Sequence, residues 1–223
     1  MDKQKTVAFA TVGHTPRDDI VPELRKLIRP DIKIAQFGAT DAFSPEEALS
    51  LFAPEGGEAT VVSRLRDGRM GAFSAAKAMP LLQRCIDGAC RNGADIVAVL
   101  CTGRFCGLCC PVPLILPFDL LHGAVRALNA GLRVGALFPF QSHAPAMAEW
   151  WREYGVEPDY LCAAPNEPLD LGAIAARFSS AGLMVLDCIG YNGQVRDRLA
   201  ECLGIPVVWP RALIADMVNS LLM

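Results

Sequence analysis

Histidine is scarce in this chain: three residues in 223. A metal site built on several imidazoles is therefore hard to assemble. A basic excess is also missing, since 21 Lys and Arg face 24 Asp and Glu, for a net charge of −3. Without a basic patch, no nucleic-acid partner is expected. No apolar run reaches the roughly 18 residues that a membrane span needs, so no membrane partner is expected either. Polar Met1 to Lys5 leads straight into a strand-like run, which argues against a secretory leader and for a cytoplasmic location. What the chain does have is apolar bulk. Hydrophobic residues make up 52 % and charged residues 20 %, a balance that excludes disorder. The length fits one large domain or two small ones, with a core that needs no staples. Nine Cys is an odd count. Without a leader they read as thiols in a reducing compartment rather than a disulfide framework.

Apolar periodicity sets the organisation. Thr6 to Val12 reads as a buried strand, followed by a loop, Gly13 to Arg17. Asp18 and Asp19 are expected to open a helix with Ile20, Leu24, Leu27 and Ile28 on its inner face. Ile32 to Phe37 is a second strand. Ser44-Pro45-Glu46-Glu47 carries a capping box and starts a helix. Val61 to Leu65, Asp67-Gly68 and Met70 to Phe73 read as a hairpin. A longer helix follows from about Ala75, with Met79, Leu82, Ile86 and Ala89 inward, and Asn92-Gly93 ends it. Further strands are expected at Ile96 to Leu100, Leu132 to Phe138, Leu183 to Asp187 and Ile205 to Trp209. A helix with Val195, Leu199, Cys202 and Leu203 inward stops at Gly204. The last helix runs from about Ala212, with Leu213, Ile214, Met217, Val218 and Leu221 as its apolar face. Strands alternating with helices imply an α/β fold with parallel sheets.

An internal repeat carries the functional reading. Gly93-Ala94-Asp95, a five-residue strand and Cys101-Thr102-Gly103 match Ala181-Gly182, a five-residue strand and Cys188-Ile189-Gly190. Two α/β halves thus each place a Cys and a Gly at the carboxyl end of a strand, where ligands bind in open α/β sheets. A thiolate near a helix start and free backbone N–H groups is stabilised. A Gly two residues on lets a ligand approach closely. Two opposed thiols could remove a proton from one face of a carbon and deliver one to the other. A single thiol could instead protonate a carbanion left by decarboxylation, or add to a double bond. Against this stands the plain alternative that a strand-end Cys packs as a small hydrophobe. Cys101, Cys106, Cys109 and Cys110 have the opening spacing of a plant-type ferredoxin site, but a fourth ligand at the right distance is missing. No metal is expected. Cys85, Cys90, Cys162 and Cys202 read as structural. In Gly13-His14-Thr15-Pro16-Arg17, Thr15 and Arg17 could clamp a carboxylate or phosphate, or form a solvated turn. Arg104 reads the same way. Tyr191 either points into the site or packs. His122 and His143 have no partner in sequence, and Trp150-Trp151 read as cover for a hydrophobic face.

These residues resemble a known family. Thr11-Val12-Gly13-His14-Thr15-Pro16-Arg17-Asp18 looks like the opening motif of the AroM-like proteins. So do Ala53 to Glu58 followed by Ser63 to Gly68, Cys101-Thr102-Gly103 with Phe105, and Leu186 to Tyr191. More distantly, the strand-end cysteines are similar to those of the aspartate/glutamate/hydantoin racemase superfamily. That resemblance implies two Rossmann-like lobes related by pseudo-twofold symmetry, with the site between them. The first lobe would hold residues 1–117 and 210–223, and the second residues 118–209. It also implies a racemase- or isomerase-like enzyme that needs no cofactor and acts on a small carboxylate substrate. Cys101 and Cys188 would be acid and base. Thr15, Arg17, Thr102, Gly103, Arg104, Gly190 and Tyr191 would bind substrate. Ile189 departs from the polar Thr that racemases usually place there, and the opening Pro-Arg is not the usual racemase loop. A one-cysteine decarboxylase or isomerase, and a carboxylate-binding protein without chemistry, therefore stay open. So does a homo-oligomer.

Overall fold

The computed structural model describes residues 4–128 and 131–223. Met1 to Lys3 of the polar leader argument lie outside them. The chain runs β1 (Thr6–Thr11), α1 (Val21–Leu27), β2 (Lys33–Gly38), α2 (Pro45–Leu51), β3 (Thr60–Arg64), β4 (Met70–Ser74), α3 (Ala75–Arg91), β5 (Ile96–Val99) and β6 (Leu114–Ile115). It continues with α4 (Pro117–Leu128), β7 (Val134–Phe138), α5 (Ala144–Glu153), β8 (Asp159–Cys162), α6 (Leu171–Arg177), β9 (Leu183–Leu186), α7 (Gly193–Leu203), β10 (Val207–Val208) and α8 (Pro210–Leu221). Two compact units result. One is Met1–Phe118 with Ile214–Met223, and the other is Asp119–Leu213.

Unit one holds a parallel sheet of order β2-β1-β5-β6 and a separate antiparallel hairpin, β3-β4. Every residue of β5 is buried, as expected of a parallel strand covered on both faces. Its core joins Ala8, Ala10 and Val12 to Val97 and Val99, with Leu82, Ile86 and Ala89 of α3 and Phe73 of β4. Unit two holds a parallel sheet of order β8-β7-β9-β10. Trp151 and Met147 of α5 pack with Ala136, Phe138 and Val185, while Ile174, Phe178 and Leu199 pack with Leu137, Met184 and Leu186. The two sheets share one strand order: β1 corresponds to β7, β2 to β8, β5 to β9 and β6 to β10. The α/β class and the parallel sheets therefore agree with the pattern of apolar runs.

Local chemistry explains where elements start and stop. Ser44 and Glu47 form the expected capping box on α2. Gly204 caps α7 at φ 66°, a left-handed position that favours glycine. Asp18 and Asp19 do not open α1. The helix begins at Val21 after Ile20, because the Asp19 carboxylate is taken by Arg17. Leu27 is 39 % and Leu221 50 % exposed, so neither belongs to an inner face; Leu222 is buried instead of Leu221. The strand expected at Ile205 to Trp209 shortens to Val207–Val208. Asn219 of α8 accepts from the Arg29 N–H and donates to the Leu27 carbonyl, tying that helix to α1 within unit one. No helix among the described residues is long and apolar enough to cross a membrane.

Candidate active site

In unit one, β5 ends at Val99 and Cys101 follows two residues later. The Leu100 N–H donates to the Ala10 carbonyl at 2.7 Å, which holds the chain against β1 just before Cys101. The Gly103 N–H then turns back and donates to the Cys101 sulfur at 3.3 Å. A Cβ on Gly103 would sit 3.3 Å from that sulfur, so a side chain there would crowd it. Cys101 is half-buried and Thr102 nearly sealed at 9 % exposure.

Unit two repeats this hook. β9 ends at Leu186 and Cys188 follows two residues later. The Asp187 N–H donates to the Leu137 carbonyl of β7 at 3.0 Å. The Gly190 N–H donates to the Cys188 sulfur at 3.3 Å. A Cβ on Gly190 would lie 3.0 Å from Pro165 and 3.4 Å from the sulfur. A backbone N–H aimed at sulfur favours the thiolate over the thiol. Neither hook uses a helix dipole as the repeat suggested. No helix starts behind Cys101 before α4, and α7 starts five residues after Cys188.

The remaining expected residues are distributed differently. Arg17 is buried, and its guanidinium forks onto both Asp19 oxygens and donates to the Thr11 hydroxyl. That pair holds the Asp19 carboxyl below the usual range, although burial opposes the shift more strongly than any single contact favours it. Thr15 gives its N–H and hydroxyl to the Asp41 carboxylate at 2.7 and 2.6 Å. The clamp expected for a ligand is therefore closed on the protein's own carboxylates. Gly13 is forced by a close approach: a Cβ there would lie 2.2 Å from the Arg64 carbonyl oxygen. Its N–H donates to Ser63, which also bonds Thr11. β3 thereby links this loop to the Cys101 hook, because its Val61 side chain lies beside Gly103. Arg104 is exposed, its guanidinium 5.7 Å over the Phe118 ring. Tyr191 is fully buried and donates its hydroxyl to the Ala163 carbonyl at 2.6 Å. His122 is buried with its ring stacked 3.8 Å from that of Trp151. Cys106 and Cys109 are exposed. Among the described residues, no three His, Cys, Asp or Glu side chains are grouped to hold a metal ion.

Two residues of the second hook escaped the sequence reading. Asp187 occupies the position that Leu100 holds in unit one, yet it carries a carboxyl. It is 1 % exposed. One oxygen accepts from Trp151 Nε1 at 2.9 Å, and the other is buried with no hydrogen bond from the protein. Burial pushes its carboxyl up to about 7, with the Trp151 N–H pulling the other way. The signal was present: an ionisable residue ending an apolar strand, where the repeat has Leu. Arg211 is 1 % exposed and braces the hook from behind, donating to the Ile189 carbonyl at 2.8 Å and the Gly190 carbonyl at 3.1 Å. Nothing in the local sequence marks it.

A family model described as AroM protein matches residues 7–222. No curated protein matches the chain at a significant level. Among solved structures, allantoin racemase from Klebsiella pneumoniae is similar at a TM-score of 0.65 and 15 % identity, covering 98 % of this chain and 87 % of that one. Maleate isomerase Iso from Pseudomonas putida S16 is similar at 0.64 and 15 %, covering 99 % and 94 %. Unliganded arylmalonate decarboxylase is similar at 0.60 and 14 %, covering 97 % and 92 %. At such identities the shared feature is the racemase-like fold.

Proposed function

The chain belongs to the AroM protein family, and from that premise we propose a racemase- or isomerase-like enzyme that acts on a small carboxylate with Cys101 and Cys188 as acid and base. The observation that carries this reading is the doubled hook: two Cys-x-Gly turns, each two residues past an equivalent strand, each with an N–H 3.3 Å from sulfur. One thiolate takes the proton from the carbon next to the carboxylate. The carbanion delocalises into the carboxylate, and the other thiol returns a proton. Both thiols then carry the opposite charge state, ready for the reverse direction. This chemistry needs no cofactor. Thr102 is the proposed carboxylate donor, with Arg104 as the cation, while the Gly103 and Gly190 N–H groups stay on the two sulfurs. Thr15, Arg17 and Tyr191, already bonded within the protein, shape the loops unless a ligand displaces Asp41, Asp19 or Ala163.

The test is proton exchange in D2O, followed by NMR, on a panel of small carboxylates and ureido compounds that includes both hands of allantoin and of glutamate. Deuterium is expected at the acidic carbon of at least one compound, lost in both Cys101→Ser and Cys188→Ser. Exchange that survives both changes would sink the reading. The residue after Cys188 is buried, apolar Ile189, whereas Thr102 follows Cys101. That asymmetry favours, as the second reading, a one-thiol decarboxylase or isomerase in which Cys188 alone is essential. Its signature is activity lost in Cys188→Ser and kept in Cys101→Ser. A protein that binds the compounds but exchanges none would be a carboxylate-binding protein.

A further inference from the structure

The first unit contains a second thiol arrangement that the proposed chemistry does not use. Cys90, in the last turn of α3, and Cys110, in the segment before β6, have their sulfurs 3.5 Å apart. Both are half-buried and pack against the same apolar cluster. The contact is held from the neighbouring residue. Gln83 of α3 accepts from the Cys109 N–H at 2.9 Å and donates to the Cys109 carbonyl at 2.8 Å. That two-point grip sets the backbone of Cys109 on the helix and brings the next side chain onto Cys90. From sequence alone Cys90 reads as structural, and Cys110 stands out only as part of the ferredoxin-like run.

We propose that Cys90 and Cys110 are a modification site: a thiol pair that closes to a reversible disulfide when the protein meets a hydroperoxide. In the first step the Cys110 sulfur attacks the terminal peroxide oxygen. An S–O bond forms, the O–O bond breaks, and an alcohol (or water, from hydrogen peroxide) leaves. Sulfur is oxidised by two electrons and the peroxide is reduced. In the second step the Cys90 sulfur attacks the sulfenic acid. The S–S bond forms, the S–O bond breaks, and water leaves with the Cys90 proton. Cys90 is the second partner because burial, and then its contact with Cys110, pushes its thiol up to about 11. The sulfurs must close from 3.5 Å to bonding distance, about 2.05 Å. The closed ring runs from residue 90 to residue 110. It contains β5 and the whole Cys101 to Arg104 turn, so oxidation restrains that turn without consuming Cys101 or Cys188. This inference stands on the thiol geometry and does not depend on the proposed reaction.

The experiment treats the reduced full chain with hydrogen peroxide, blocks remaining thiols by alkylation in denaturant, and maps tryptic peptides without reductant. Arg84, Arg91 and Arg104 are cleavage points, so Cys90 and Cys110 fall in separate peptides, 85–91 and 105–126. The expected product is those two peptides linked, lighter by two hydrogens, with fragmentation placing the bond on Cys90 and Cys110. Alkylation of these two thiols should fall in step and return after dithiothreitol. The link should persist in Cys106→Ser and Cys109→Ser and vanish in Cys110→Ser. A link through Cys106 or Cys109 would overturn the assignment. So would oxidation of those exposed thiols while Cys90 and Cys110 both remain open to alkylation.

Discussion

At the residue scale, Asp187 carries the largest single consequence. Its carboxyl ionises near 7 in the folded chain, against 3.8 for an ordinary Asp. Below about pH 4 both folded and unfolded states hold the proton, and the group does not disfavour folding. Between about 4 and 7 only the folded state holds it, so stability falls as pH rises. Above about 7 both states are ionised and the loss is complete, on the order of a few kcal/mol. Asp187→Asn keeps an acceptor for Trp151 and removes the charge. The variant should lack this pH-dependent loss, and chemical denaturation at pH 4.5 and pH 8 checks it. A wild type whose stability rises over that window, with the variant following in parallel, would contradict the assignment. Neither Asp187 nor Arg211 was read as functional from sequence, because burial and hydrogen-bond partners are set by tertiary packing. The sequence could mark Asp187 only as a charge in an apolar run. By contrast Cys101, Gly103, Cys188 and Gly190 were legible, since a repeated Cys-x-Gly after a repeated strand is a pattern in the chain itself.

At the element scale, the loop after β1 depends on a backbone approach rather than on its polar side chains. Gly13 lies where a Cβ would meet the Arg64 carbonyl oxygen at 2.2 Å, and the His14 N–H donates to that same oxygen at 3.1 Å. Gly13→Ala must therefore push β3 away from the loop. The expected cost is roughly 1–3 kcal/mol, the range for overpacking a filled interior. Because β3 also carries Val61 beside Gly103, the Cys101 turn should loosen too. Thermal unfolding together with amide exchange of residues 61–64 and 101–104 measures both effects; unchanged exchange at 101–104 would separate the hairpin from the hook. Elements with strong local signals were readable: α2 through its capping box, α3 through its period, α7 through its glycine stop, and the buried strands through continuous apolar runs. The two-residue strand β6 was not, and β10 was legible only as a longer run, Ile205 to Trp209. A ladder so short is defined by its neighbour, with Leu114 and Ile115 pairing on β5 and Val207 and Val208 on β9. The opening of α1 failed for an electrostatic reason. Asp19 looked like a first-turn acid, but a fork from Arg17 outcompetes the weaker attraction of a helix end.

At the scale of the whole molecule, one plan is used twice. Each unit orders its four parallel strands in the same way and sets a cysteine two residues beyond the corresponding strand. Each then returns a glycine N–H to the sulfur. The central claim is that these two thiols are the reactive centres of the chain, and it makes reactivity run against exposure. Cys106 and Cys109 are exposed, whereas Cys101 and Cys188 are half-buried. If access alone governed, the exposed pair would react first. If the hooks favour thiolates, the half-buried pair would. The direct measurement is the rate of iodoacetamide alkylation at each of the nine cysteines near neutral pH, resolved by peptide mass, with and without malonate as a carboxylate probe. The account predicts that Cys101 and Cys188 react fastest and that malonate slows those two alone. Cys106 and Cys109 reacting fastest, with Cys101 and Cys188 as slow as Cys85 and indifferent to malonate, would contradict it.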